Sequence, residues 1–337
     1  MPDDERNMKA IILHSEIDAC ASADEQDVLV QVETVTAALR VLGHETQALP
    51  FSLDLAGMAD RLQRASCDFV FNLVETCAGK GRLIHLAPAL LDALGIPYTG
   101  AGTEATFLSS NKLAAKRILR ASRLRTPGWV SLTDSSLKGR FPAGSPFIVK
   151  SVWEHASVGL EEGSVVSPGN LEGLRDEIRG RLGALGGAAY AERYVDGREF
   201  NLSVLAGSRG PEVLPPAEIE FLGYGDERLR IVGYRAKWDE QAYEYHHTPR
   251  RFDFGPQDDA LLRSLKNTAL RCWDLFGLRG YARVDYRVDR DGVPWILEIN
   301  SNPCLSPDSG FAAATLRAGL RFEAVIGRII DDTFRTG

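Results

Sequence analysis

The chain has 337 residues, 44% of them hydrophobic, and a formal net charge of −7, which is the composition of an ordinary globular protein. Its 39 basic and 46 acidic residues argue against a broad cationic surface for nucleic acid or anionic lipid. No apolar stretch reaches the roughly 20 residues that a membrane helix needs, and the first ten residues show no signal-peptide pattern. We therefore expect a cytoplasmic protein without nucleic-acid or membrane partners.

The five cysteines are odd in number and widely spaced, without a CxxC pair. This usage is typical of a reducing compartment and argues against a structural zinc site. We expect reduced and mostly buried thiols at positions 20, 67, 77, 272 and 304.

The first hundred residues alternate between short apolar strands and helices whose apolar side chains recur every three or four positions. This alternation is typical of an open parallel α/β layer. The predicted strands are 9–13, 47–51 and 68–73, and the predicted helices are 28–42, 53–65 and 83–94.

The remaining residues predict two lobes of the α+β type. Asn111 is a good N-cap for a basic helix, and hairpins dominate after Glu199. The predicted elements are strands 128–132, 147–152 and 188–195, helices 112–120, 171–185, 257–276 and 311–334, and a hairpin at 281–300. We predict an α/β protein with α+β lobes and three sequential domains, 1–108, 109–195 and 196–337.

The hairpin carries a distinctive polar face. Two alternating runs flank Asp-Gly at 291–292, a dipeptide typical of a two-residue turn. With that turn at the centre, Asp285 lies opposite Glu298 and Arg283 lies opposite Asn300, all on one face. Facing carboxylates repel each other unless a cation lies between them, and oxygen ligands favour Mg²⁺ or Mn²⁺ over zinc. The pattern predicts a metal site.

The alternative interpretation is a solvent-facing polar hairpin in which Arg283 neutralises one acid. A turn of another length would also shift the register and separate the acidic pair. However, the polar loop after the hairpin leads to a helix N-terminus near Ser309, where backbone N–H groups attract anions. An anion site beside the acidic pair favours the metal interpretation.

Two runs of this hairpin, Gly-Tyr-Ala-Arg-Val-Asp at 280–285 and Ile-Leu-Glu-Ile-Asn-Ser-Asn-Pro at 296–303, resemble the C-terminal signature of ATP-grasp carboxylate–amine ligases. The resemblance is specifically to the D-alanine–D-alanine ligase group. Further matches in the group's order and approximate spacing are Pro-Tyr-Thr-Gly at 97–100, Phe-Ile-Val-Lys at 147–150 and Arg-Ala-Lys-Trp at 235–238. The resemblance implies an ATP-grasp fold with an N-terminal open parallel α/β domain.

The same resemblance implies the nucleotide and metal contacts, with ATP and two Mg²⁺ or Mn²⁺ ions as cofactors. The corresponding residues are Lys112, Lys150 and Ser157 for the phosphates, Glu192 and Val195 for adenine, Glu199 for ribose, and Asp285, Glu298 and Asn300 for the metal. Without the resemblance, Lys150 would be interpreted as a surface lysine. Glu192 and Glu199 would then be interpreted as partners of Arg193 or Arg198.

The reaction implied by the resemblance has two steps. A carboxylate attacks the γ-phosphate of ATP to give an acyl phosphate, and an amine then attacks the acyl carbon to form an amide. Lys237 and Arg283 would neutralise the transferring phosphate, and Arg283 with the backbone N–H of Cys304 would stabilise the oxyanion. Ser309 would bind the carboxylate of the second substrate, or serve only as a helix N-cap. The expected partners are small carboxylate and amine substrates, and a homodimer is compatible with the resemblance.

The sequence departs from the D-alanine ligases around the amino-acid substrates. Ala156 and Trp238 replace the serine and tyrosine that orient the first substrate, Cys304 replaces a glycine, and the histidine after the third strand is missing. Polar residues at the C-terminal end of that strand either line a different amine or carboxylate site or form a surface turn; they are Asn72, Glu75 and Lys80.

Three functions remain open from the sequence. They are an ATP-dependent amide or peptide ligase for small amino-acid-like substrates, a ligase of specialised metabolism acting on a larger carboxylate, and a nucleotide-binding protein without turnover. Loss of a metal ligand or a phosphate lysine would favour the third, and none is lost. We predict the first function and expect D-alanine itself to be a poor substrate or none.

Overall fold

The computed structural model describes residues 7–18, 21–155, 157–225 and 228–335; Cys20 and Ala156 lie outside these ranges. The N-terminal segment alternates strands and helices: β1 (Lys9–Ser15), α1 (Ala23–Val41), β2 (Glu45–Phe51), α2 (Leu55–Ala65), β3 (Phe69–Leu73) and α3 (Leu86–Leu94). The strands pair in parallel in the order β2-β1-β3. The predicted open parallel α/β layer is confirmed.

The central segment is built on an antiparallel sheet of order β4-β7-β5-β6. Its helix α5 begins where predicted, because Oδ1 of Asn111 accepts a hydrogen bond from the backbone N–H of Ala114 at 3.0 Å and so satisfies one of the free N–H groups of the first turn. The elements are α4 (Thr103–Ser110), α5 (Lys112–Ala121), β4 (Trp129–Val130), β5 (Phe147–Ser151), β6 (Val165–Val166), α6 (Leu171–Arg181) and β7 (Ala189–Arg193).

The C-terminal segment contains a second antiparallel sheet, of order β11-β10-β8-β12-β13, with β9 paired to β8. Its strands are β8 (Gly197–Leu205), β9 (Glu212–Val213), β10 (Ala217–Ile219), β11 (Arg250–Arg251), β12 (Tyr281–Asp289) and β13 (Pro294–Asn300), and its helices are α7 (Tyr234–Trp238), α8 (Tyr243–His246), α9 (Asp259–Phe276), α10 (Gly310–Arg317) and α11 (Phe322–Arg335).

The prediction of one continuous final helix is wrong. Gly319 adopts a φ of 71°, a left-handed conformation that glycine accepts without steric cost. The backbone N–H of Leu320 then donates to the carbonyl of Thr315 at 3.1 Å, as in a Schellman helix end. The helix α10 therefore ends before this glycine, and α11 begins as a separate helix at Phe322.

Apolar cores join the segments and fix the position of the sheets. Ile329 of α11 packs with Ile12 and Phe71 of the N-terminal sheet in one buried cluster, while Leu119 of α5 packs with Val284 of β12 in another. Fully burying such side chains contributes about 1.5–3 kcal/mol each. The C-terminal helices thus cover the N-terminal layer, and the boundaries 1–108, 109–195 and 196–337 stay a prediction about independent units.

The described cysteines, at positions 67, 77, 272 and 304, are free thiols. Cys77 and Cys272 are buried and the other two are partly buried. Within the part of the chain that the structure describes, no helix is both long and apolar enough to cross a membrane.

Candidate active site

A cavity of about 480 Å³ is lined by residues of all three segments. Every residue assigned to the site from the sequence lines it: Lys112, Lys150, Ser157, Glu192, Val195, Glu199, Lys237, Arg283, Asp285, Glu298, Asn300, Cys304 and Ser309. Residues nearly two hundred positions apart in the chain therefore face one space. Their individual roles stay predictions.

The hairpin β12–β13 places its polar face as the sequence predicts. Asp285 pairs with Glu298, and Arg283 pairs with Asn300. All of these side chains line the cavity, so the face does not lie on the outer surface. Arg283 does pair with Asp285, as the alternative interpretation expects, and the metal site stays a prediction.

The turn of that hairpin differs from the prediction. The backbone N–H of Asp289 donates to the carbonyl of Val293 at 3.0 Å, so the loop comprises 290–292 instead of a two-residue turn. The ladder then shifts by one residue between Asp285 and Tyr286, which leaves Leu297 as the extra residue of a β-bulge. The bulge cancels the extra turn residue, and the acidic pair keeps its register.

Arg283 holds Asp285 through both carboxylate oxygens. Its Nε donates to Oδ1 and its Nη2 donates to Oδ2, each at 2.8 Å. Nδ2 of Asn201, on the neighbouring strand β8, donates to the same Oδ1 at 2.8 Å. A bidentate guanidinium pair has a fixed geometry, so the carboxylate is oriented before any ligand binds.

Glu298 is held by basic side chains from two other parts of the chain. Nζ of Lys112 lies 3.4 Å from its Oε1, and Nδ1 of His155 lies 2.9 Å from the same oxygen. Burial alone would raise the pKa of Glu298, but Lys112, His155 and Lys237 lower it well below its usual value. Its side chain remains 25% exposed, as an ionised group facing a cavity requires.

The donor set on this face fits a hard cation. The possible ligand atoms on this face are all oxygens, from Asp285, Glu298 and Asn300. Mg²⁺ and Mn²⁺ prefer oxygen ligands, whereas zinc favours nitrogen and sulfur. Within the described ranges, no group of three or more His, Cys, Asp or Glu side chains forms a metal-binding cluster. A metal ion here would therefore need phosphate or water oxygens to complete its coordination.

On the opposite side, Lys150 projects from β5 into the cavity. Its Nζ lies 2.6 Å from Oε1 of Glu192 on β7, and Oε2 of Glu192 lies 2.5 Å from Nζ of Lys116. Burial would raise the pKa of Glu192, but the two lysines lower it below its usual value. Glu192 is thus an ionised carboxylate shared between two ammonium groups.

The strand end beyond Glu192 forms the other end of the cavity. Val195 lines it, and Glu199 pairs with the buried Arg287 at 2.9 Å. The alternative in which Arg193 or Arg198 pairs with these acids is therefore wrong, because Arg287 of β12 holds Glu199 while Arg198 pairs with Glu218 and Asp258. The second oxygen of Glu199 can still accept a hydrogen bond.

Lys237 and Ser157 approach the cavity from helix α7 and from the loop after β5. No described residue forms an ion pair with Lys237. Its side chain is solvent-accessible within the cavity and is surrounded by the cavity walls. Burial within these walls and the nearby Arg283 lower the pKa of Lys237. The hydroxyl of Ser157 donates to the carbonyl of Val232 at 2.9 Å, which ties this loop to the segment before α7.

Cys304 contacts the first helix instead of a reactive group. Its Sγ donates to Oδ2 of Asp27 at 3.0 Å, and the backbone N–H of Ser306 donates to Sγ at 3.3 Å. Burial, Glu75 and Asp27 raise the pKa of this thiol well above its usual value. The thiolate needed for a nucleophile is disfavoured, which agrees with a packing role.

Ser309 is the N-cap of α10, and its Oγ accepts from the backbone N–H of Ala312 at 3.1 Å. Arg250 lies beside this helix start. Its Nε is 3.5 Å from the position that a Cβ atom at Gly310 would occupy, and its Nη1 donates to the carbonyl of Asp308 at 3.0 Å. The helix N-terminus therefore faces the cavity with a guanidinium group beside it.

Of the polar residues after the third strand, only Glu75 lines the cavity in the described part of the chain. Burial, Asp27 and Asp24 raise the pKa of Glu75 to about 7, although Gln31 and Arg283 oppose this shift. Oδ1 of Asn72 accepts from the backbone N–H of Val74 at 3.2 Å, as in a turn, and Lys80 is exposed. Of these three residues only Glu75 therefore faces the cavity, and its contact with a substrate stays a prediction.

Sequence reasoning missed several residues of the cavity wall. Asp24, Asp27, His155 and Arg250 line the cavity, and Lys116 lies directly behind it. Lys112 and Lys116 are one helical turn apart, so the shared face of α5 was the one available signal. Nothing in the sequence places α1 against the loop 301–309.

Comparisons with known proteins agree with this architecture. The protein-family profile described as D-ala D-ala ligase C-terminus matches residues 124–331. An uncharacterized protein, y4sG, of Sinorhizobium fredii is 32% identical over 90% of this chain and 87% of its own length. The D-alanine–D-alanine ligase of Oleidesulfovibrio alaskensis is 32% identical over 92% of each chain.

Among solved structures, the fold resembles the D-alanine–D-alanine ligase of Bacillus anthracis complexed with ATP, with a TM-score of 0.71 and 20% identity over 98% of each chain. At that identity the likeness concerns the fold, and it confirms the ATP-grasp architecture. Together with the matched profile and the relatives above 30% identity, it shows that the chain belongs to the D-alanine–D-alanine ligase family, whose members are ATP-dependent carboxylate–amine ligases.

Proposed function

We propose that this protein is an ADP-forming ligase that joins two small amino-acid-like substrates through an acyl phosphate. The observation that carries the proposal is the facing pair of Asp285 and Glu298 in one cavity with Lys112, Lys150 and Lys237. Triphosphate and acyl phosphate both concentrate negative charge. A cavity that collects these cations suits charge neutralisation, which is the main demand of phosphoryl transfer.

Each cation would act at a different place. Lys150, which projects from a strand end, would bind the α- and β-phosphates of the nucleotide, with Lys112 as a further phosphate contact. Lys237, with no ion-pair partner among the described residues, would bind the transferring phosphate. Arg283 and the backbone N–H of Cys304 would then stabilise the oxyanion formed when the amine attacks.

We also propose a divalent metal site at Asp285, Glu298 and Asn300, with Mg²⁺ or Mn²⁺ as the ion and two ions in the working enzyme. When bound, the ions would supply positive charge that offsets the negative charge of the phosphates. Before that, Arg283 holds Asp285 while Lys112 and His155 hold Glu298. These contacts keep the facing carboxylates oriented and limit their mutual repulsion.

The amino-acid end of the cavity supports a substrate other than D-alanine. Asp24, Asp27 and Glu75 line it together with Trp238, and no described cation pairs with these acids. Such a wall favours a substrate with more positive charge or a larger flat surface than the methyl group of alanine offers. We therefore propose a bulkier or differently charged carboxylate substrate for this protein.

A screen for ADP release, with D- and L-amino acids offered singly and in pairs, tests the proposal. We expect ATP-dependent amide formation with at least one pair, and loss of ADP release in Glu298→Gln. ATP hydrolysis without amide product for every pair, or nucleotide binding without turnover, would contradict the ligase function.

Two further proposals concern the location and the assembly of the protein. We propose that the protein acts in the cytoplasm, where ATP is supplied, and that it forms a homodimer. Light scattering during size-exclusion chromatography tests the second proposal, and a monomeric mass would contradict it.

A further inference from the structure

Behind the phosphate side of the cavity lies a buried row of three charged groups. Lys116 and Glu192 are each 1% exposed, whereas Lys150 is 19% exposed and lines the cavity. Oε2 of Glu192 lies 2.5 Å from Lys116, and its Oε1 lies 2.6 Å from Lys150. The hydroxyl of Thr126 accepts from Nζ of Lys116 at 2.7 Å. The row therefore has one end sealed in the protein and the other end open to the ligand.

The charges of this row do not cancel. Two ammonium groups and one carboxylate leave a net charge of +1, and among the described residues Lys116 has no other ion-pair partner. Burial lowers the pKa of Lys116, while the Glu192 carboxylate favours its charged form. If Lys116 were absent, Glu192 and Lys150 would form a neutral pair. The ammonium of Lys150 would then be drawn to Glu192 and would be less available to a phosphate.

We propose that Lys116 is a positioning residue for nucleotide binding, which neutralises Glu192 from behind and so leaves the positive charge of Lys150 free for the phosphates. The inference rests on the proposed nucleotide site at Lys150. It assigns a role in binding to a lysine that a ligand cannot reach. In this view the buried pair Lys116 and Glu192 sets the strength of phosphate binding, while adenine binding depends on the strand edge at 192–195.

The test compares ADP with adenosine, because the ratio of their affinities isolates the phosphate contribution. Isothermal titration of the full chain, with EDTA present so that no metal contributes, should show ADP binding about tenfold weaker in Lys116→Met, the scale expected when one charged contact is lost. Adenosine binding should change little. The double variant Lys116→Met with Glu192→Gln restores a net charge of +1 and should recover the ADP to adenosine ratio.

Further variants separate positioning from a purely structural effect. Glu192→Gln alone leaves both lysines and should raise the ratio severalfold, which tests the proposal even if Lys116→Met does not fold. Lys138→Met, at an exposed position of the same segment, is the matched control and should leave the ratio unchanged. An unchanged ratio in folded Lys116→Met, or no recovery in the double variant, would overturn the inference. Absence of ADP binding to the unaltered protein would instead overturn the proposed nucleotide site itself.

Discussion

Gln31 joins the first helix to two other parts of the cavity wall. Its Nε2 donates to Oε1 of Glu75 at 2.8 Å, and its own side-chain oxygen accepts from the backbone N–H of Leu305 at 3.0 Å. One buried amide thus spans the end of β3 and the loop after the hairpin. The oxygen of this amide is used by Leu305, so Gln31 can only donate to Glu75. No described cation forms an ion pair with the Glu75 carboxylate.

Glu75 should make stability depend on pH. Its pKa rises from 4.5 to about 7 in the folded protein, so the folded state holds a proton that the unfolded chain releases between these values. Stability should therefore fall as pH rises through this window and level off above it, by about 3–3.5 kcal/mol in total. Glu75→Gln should remove most of this loss, as measured by urea unfolding at pH 5 and pH 8.

The exposed Glu104 provides the control for that measurement. Glu104→Gln should keep the pH dependence of the unaltered protein. If Glu75→Gln also keeps it, the raised pKa of Glu75 is not its source.

Glu298→Gln should abolish ATP turnover while leaving the fold intact. The substitution removes one facing carboxylate, and Lys112 retains its contact with the carbonyl of Glu154 at 2.8 Å, so we expect the free energy of unfolding to change by no more than about 1–2 kcal/mol. Loss of a metal-binding oxygen should lower kcat/KM by at least about 100-fold. Steady-state ADP release as a function of Mg²⁺ concentration is the measurement.

The exposed Glu240 supplies a matched variant, Glu240→Gln, that should behave like the unaltered enzyme. An unchanged rate and an unchanged Mg²⁺ dependence in Glu298→Gln would show that the facing pair does not hold the metal.

Lys150→Ala and Lys237→Ala should each cost about 2–4 kcal/mol of transition-state stabilisation, the scale of losing one preorganised charge in a closed site. Both lysines line the cavity, so kcat/KM should fall without a comparable loss of stability. Lys116 is unsuitable as the inert control because it is buried against Glu192. Lys138→Ala is the appropriate control, and equal small effects at all three positions would refute the assignment.

The hairpin shows why the sequence predicted some features and missed others. Alternation of apolar residues predicted both strands, and the pairing of Asp285 with Glu298 is as predicted. The prediction assumed a two-residue turn, however, and it holds because the bulge at Leu297 offsets a longer loop. Local patterns do not encode such compensation, since a bulge leaves no alternation signal of its own.

The sequence also did not predict contacts between segments that are far apart in the chain. The pair Cys304 and Asp27 joins a loop to a helix 277 positions earlier, and His155 reaches Glu298 across 143 positions. Periodicity predicts which face of an element is buried, but not which element covers it. Tertiary packing determines which elements contact each other. The part of the cavity wall formed by α1 was therefore seen only in the structure.

The last prediction concerns the substrate. Trp238 lines the cavity where the D-alanine ligases have a tyrosine, and Asp24, Asp27 and Glu75 line the same cavity. A site built to hydrogen-bond a polar group discriminates strongly, whereas one that binds by shape and apolar contact discriminates weakly. We expect D-alanine as sole substrate to give little or no phosphate release, and a bulkier or differently charged amino acid to be preferred. Trp238→Tyr should shift the preference towards D-alanine, while Trp295→Tyr, at the far end of the hairpin where the indole N–H donates to Asp289 at 2.8 Å, should not. A kcat/KM for D-alanine of about 10⁴ M⁻¹s⁻¹ or above in the unaltered protein would refute this prediction and identify the protein as an ordinary D-alanine–D-alanine ligase.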